Sequence, residues 1–91
     1  MTQEQTNSFI QHFQEKITEA ETMLTKLEAK MTTIEEQLKS DRENELWVSY
    51  GEDIDRLGDL MRDHRLWLGK RIAYRQALSA AKCYETQNVE E

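Results

Sequence analysis

Between Ile10 and Leu38 the apolar residues recur at gaps of three and four, in strict alternation, for four heptads. The run is Ile10, Phe13, Ile17, Ala20, Leu24, Leu27, Met31, Ile34 and Leu38. An α-helix turns once in about 3.6 residues, so a 3.5-residue apolar period keeps one seam facing a partner only when helices supercoil. A surface helix that merely packs on a globular core does not hold this spacing for so long. With Ile10 in the a position, the outer b row reads Gln11, Thr18, Thr25 and Thr32, which suits solvent. The e row reads Gln14, Glu21, Glu28 and Glu35, and the g row Lys16, Met23, Lys30 and Gln37. An antiparallel self-pair through this seam sets the glutamate row against itself. The charges therefore favour a parallel self-pair or an antiparallel partner that is a different, basic helix.

A chain of 91 residues with no proline and three glycines has few places to turn. The polar segment Lys39-Ser40-Asp41-Arg42-Glu43-Asn44-Glu45 is the natural one, because the next seam slots after Leu38 hold Asp41 and Glu45. Ser40 with Glu43, and Ser49 with Glu52, have the spacing of a reciprocal N-terminal cap. One helical domain is expected over 1–91: a helix over about 8–39, a connection within about 40–49, a helix over about 50–84, and a flexible acidic tail over 85–91. Thr6, Asn7 or Ser8 would cap the first helix. A single helix continuing through 40–49 is the alternative.

The second helix is apolar on a wide arc. One stripe is Tyr50, Ile54, Leu57, Met61, Leu68 and Ile72, and a second beside it is Leu57, Leu60, Trp67, Tyr74, Leu78 and Ala81. Together they cover about half the circumference, more than one neighbouring helix can bury. The expected fold class is all-α: a long antiparallel helical hairpin with coiled-coil packing, dimerising into a four-helix assembly. A parallel dimer through the first helix is the competing arrangement. Gly51, Gly58 and Gly69 share one face, where they either admit a closely packed helix or simply weaken this one.

Net charge is −6, unevenly distributed. Residues 1–55 carry 13 acidic and 5 basic side chains, whereas residues 56–82 carry 7 basic and 2 acidic. Such asymmetry favours acidic-on-basic pairing within or between chains. Arg71 and Arg75 fall on the face of His64 and are expected to meet the glutamate side of the first helix or an acidic partner. Glu52, Asp55, Asp59 and Asp63 form a solvated strip on the opposite face, with Leu66 beyond it.

No constellation for catalysis is legible. Di-iron bundles need glutamate three residues before histidine, but Phe9 precedes His12 and Met61 precedes His64. One cysteine, Cys83, makes neither an intrachain disulfide nor a structural zinc site. No phosphate loop or nucleophile elbow is present. No cofactor and no metal are expected, and the chain is not expected to be an enzyme. Without a long apolar run or a basic leader it is expected to avoid the membrane and to be cytoplasmic.

The expected function is that of a non-enzymatic coiled-coil protein-interaction module, acting as inhibitor, adaptor or chaperone on a larger protein. Trp47, Tyr50, Trp67 and Tyr74, with Arg71 and Arg75, are the side chains expected to bind that partner, since aromatics and arginine dominate interface energies. Self-association as a homodimer is expected as well, and nucleic acid is not. The alternatives are a nucleic-acid-associated protein using the basic segment 56–82 and a structural homo-oligomeric spacer.

Overall fold

A computed structural model describes residues 2–90 of the chain, with side chains through Tyr84. Two helices make up the described residues, α1 (Gln3–Glu43) and α2 (Trp47–Glu90), packed against each other as an antiparallel hairpin. At 41 and 44 residues they are longer than the sequence spacing implied. The tail expected over 85–91 lies partly outside the described residues: the backbone is helical through Glu90, and no side chain beyond Tyr84 is described.

The early start of α1 comes from a reciprocal cap that the sequence also contains. The Gln5 amide donates to Thr2 Oγ1 at 3.2 Å, and the Thr2 amide donates back to Gln5 Oε1 at 3.0 Å. Two of the amides that a helix start leaves without intrahelical acceptors are thus satisfied. Thr6, expected as a cap, is instead fully buried inside the helix, its hydroxyl donating to the Thr2 carbonyl at 3.0 Å.

The connection is only three residues, Asn44 to Leu46, inside the window expected at 40–49. It is held by a Schellman motif: Leu46 N–H reaches the Asp41 carbonyl at 2.8 Å, and Glu45 N–H reaches that of Arg42 at 3.3 Å. Glu45 takes the left-handed conformation this motif requires, with φ 57°. Glycine usually holds that place because a Cβ there costs free energy. Neither serine cap forms, since Ser40 and Ser49 both lie within helices.

Packing divides the chain into two units, Met23–Trp67 and Met1–Thr22 together with Leu68–Glu91. In the first, Leu24 and Leu27 are buried, and the seam continues one slot past the apolar run to a fully buried Asp41. In the second, Ala20 is fully buried, and the N-terminal half of α1 packs with the C-terminal half of α2. All nine seam residues from Ile10 to Leu38 are buried or half-buried.

Besides half-buried Leu68, Lys70 and Ala77, the buried and half-buried described residues of α2 are Tyr50, Asp53, Leu57, Leu60, His64, Trp67, Arg71, Tyr74, Leu78 and Ala81. Their gaps alternate three and four as well. The two apolar stripes therefore separate: the one through Leu60, Trp67 and Tyr74 packs on α1, and the one through Ile54, Met61 and Ile72 does not. Leu57 and Leu68 are half-buried, short of the full burial of Leu24.

Candidate protein-interaction surface

The six side chains expected to bind a partner do not share one surface. Trp47 opens α2, 59% exposed, with its ring edge-on to Tyr50 at a centroid distance of 5.8 Å. Tyr50 sits in the α2 seam. It lines a cleft of about 260 Å³ with Glu35, Leu38, Lys39 and Arg42. Trp67, Arg71 and Tyr74 are half-buried seam residues within the hairpin. Arg75 is exposed and bonds Glu21 Oε1 at 3.0 Å, on the glutamate side of α1. His64, three turns earlier along α2, does the same in its own unit, 3.0 Å from Glu28 Oε1. The e row of α1 thus meets basic or imidazole side chains from α2, a charge pairing that helps fix which faces of the two helices meet.

The α2 seam holds three polar side chains among seven that are largely apolar, and this is why periodicity in the sequence did not reveal it. Arg71 buries its Nε without a hydrogen-bond partner. Asp53, only 6% exposed, meets the fully buried Asp41 just inside the bend. Gln37 Nε2 donates to Asp41 Oδ1 at 3.0 Å, while Asp41 Oδ2 is buried with no partner. Hydrogen bonding to Asp41, then burial and the Asp41 charge, raise the Asp53 pKa above 3.8, with Glu52 adding to the shift. Arg56, 3.4 Å from Asp53 Oδ1, pulls the other way. Two facing carboxyls disfavour each other's ionisation, which is the direction of the Asp53 shift. The sequence signal was Asp41 at a d slot, which looked like the end of the seam.

Beside the seam, Lys30, Thr33 and Ile34 of α1 and Arg56, Asp59 and Leu60 of α2 line an open, largely apolar groove of about 420 Å³. Among the described residues no three His, Cys, Asp or Glu side chains come together as metal ligands would, and no helix is long and apolar enough to cross a membrane. Cys83 is an exposed thiol.

Several large apolar side chains of α2 lie outside its seam. Trp47, Val48, Ile54, Met61 and Ile72 are all exposed, at 59, 79, 43, 46 and 54%. A Cβ built on Gly51, Gly58 or Gly69 meets nothing within 4 Å. These glycines therefore do not serve close packing inside the hairpin. A family model, a curated protein and a solved structure were each sought for this chain, and none matches it.

Proposed function

We propose that this chain is a non-enzymatic helical association module, built to pack the outer face of α2 against another protein helix in an inhibitor, adaptor or chaperone assembly. One observation carries the proposal. Among the described residues the hairpin fully buries the apolar side chains of Ala20, Leu24 and Leu27 alone, while Trp47, Ile54, Met61 and Ile72 stay exposed along α2. Apolar area left in water is free energy that association recovers, at about 25 cal/mol per Å² covered. Three of the basic side chains in 56–82 pair with carboxylates of the chain itself, Arg56 with Asp53, Arg62 with Asp59 and Arg75 with Glu21, which weakens the case for a nucleic-acid partner.

A photo-reactive benzophenone side chain at Met61, irradiated in the native host, tests the role. Covalent adducts to protein are expected at Met61 and not at Thr25 on the outer row of α1. Equal labelling at both positions, or none at Met61, overturns the proposal.

A further inference from the structure

The outer face of α2 carries a heptad repeat of its own. Steps of four and three from Trp47 reach Gly51, Ile54, Gly58, Met61 and Arg65, and the same spacing along the helix continues to Leu68 and Ile72. This row lies about a quarter-turn around the helix from the seam that faces α1. Trp47, Ile54 and Met61 on it are exposed, and the open space beside Gly51 and Gly58 leaves two holes between them. Large side chains alternating with holes at heptad spacing are what a knobs-into-holes helix partner requires.

Resting on the association role above, we infer that the occupant of this face is the same face of a second copy, running antiparallel. The row is complementary to itself in that direction. Setting Met61 level with Gly58 of the second copy sets the stem of Arg65 level with Ile54. Each pair occurs twice about the two-fold axis. At the flank, Asp55 falls beside Arg62, so the large Met61 side chain meets a glycine where the charges also match. A parallel pair would instead set glycine opposite glycine.

The charges select the register. Sliding the pair by one heptad brings Asp55 against Asp55 in one direction and Arg62 against Arg62 in the other, whereas the central register makes two Asp55–Arg62 pairs. Like charges across a helix pair are a strong discriminator even where the attractive pairs add little. Among the described residues Arg62 pairs with Asp59, at 3.8 Å with both side chains exposed, and is available to turn.

Sedimentation equilibrium with charge-reversal variants tests the inference. The wild-type chain is expected to be dimeric at low micromolar concentration. Met61→Glu buries a charge in the interface and is expected to weaken the dimer about a hundredfold, with helicity by circular dichroism unchanged. Asp55→Arg and Arg62→Asp are each expected to weaken it about tenfold, and the double variant to restore it. Residues 55 and 62 are two turns apart on one helix, so rescue cannot arise within a chain. A dimer insensitive to Met61→Glu, or single charge reversals without rescue, overturns this face or this register. A monomeric wild type whose Met61 benzophenone still labels a different protein overturns self-pairing and leaves the association role standing. A monomer that labels nothing overturns both.

Discussion

The two helices follow the same 3.5-residue spacing with different contents. The α1 seam is apolar at nine successive slots and polar only at its ends, Thr6 and Asp41. The α2 seam breaks its apolar run three times, at Asp53, His64 and Arg71. On α1 the seam is the only apolar face; on α2 a second apolar row lies outside it. A helix with one apolar face states where it packs. A helix with two leaves the choice to whichever partner arrives, and here α1 took the face that includes the polar side chains. Charge explains part of this outcome: the e-row glutamates of α1 at Glu21 and Glu28 bond to Arg75 and His64 of α2, in their separate units.

If the apolar content of α1 makes it the stronger contributor, truncations should show it. Leu24→Ala and Leu27→Ala, both fully buried, are expected to cost about 2–5 kcal/mol. Leu57→Ala, half-buried in the α2 seam, should cost roughly half as much, because less of its surface leaves water on folding. Thr25→Ala on the outer row serves as the control. Urea melts giving Leu57→Ala the same cost as Leu24→Ala would remove the distinction between the two seams.

The polar slots sharpen the comparison through pH. A carboxyl whose pKa is raised in the folded chain binds its proton more firmly there than when unfolded. The contribution of Asp53 to stability is therefore complete below its ordinary pKa of 3.8 and is lost as pH rises through the raised folded value. Asp53→Asn places an N–H between the two acceptors and removes that titration. Relative to wild type, the variant is expected to gain stability as pH rises from about 4 to about 7. Urea midpoints that shift in parallel for both proteins across this range would show that the Asp41–Asp53 contact does not hold a proton.

At the bend the expected effect is smaller. Glu45→Gly relieves a Cβ in the left-handed region and is expected to stabilise the hairpin by about 1 kcal/mol, less the entropy a glycine adds to the unfolded chain. A loss of stability in thermal melts would mean that the Glu45 side chain makes a compensating contact.

The α1 seam could be read directly from Ile10 to Leu38 because a period is visible only when its slots share one character. Asp41 broke that character while keeping its place, so the seam seemed to stop one turn before the bend. The capping pair Thr2 and Gln5 was equally present in the sequence, but a single three-residue spacing competes with many similar ones, among them Ser40 with Glu43 and Ser49 with Glu52. Of the side chains singled out for binding, Trp47 lies on the exposed face, and Trp67 and Tyr74 lie in the seam. Their type alone does not distinguish the two, since a large aromatic is favoured in both places.

The sequence by itself determined that this chain would be helical and that α1 would offer a heptad seam, and it favoured a turn within 40–49 over one continuous helix. Those outcomes depend on local propensity and on the spacing of residues along one helix. Only the tertiary structure decided which of the two apolar rows of α2 packs on α1, and that Asp53, His64 and Arg71 would be drawn in while Ile54, Met61 and Ile72 stayed out. That choice depends on a sum over two facing surfaces. Asp53 is drawn in against the buried Asp41, and neither periodicity nor hydropathy records who stands opposite.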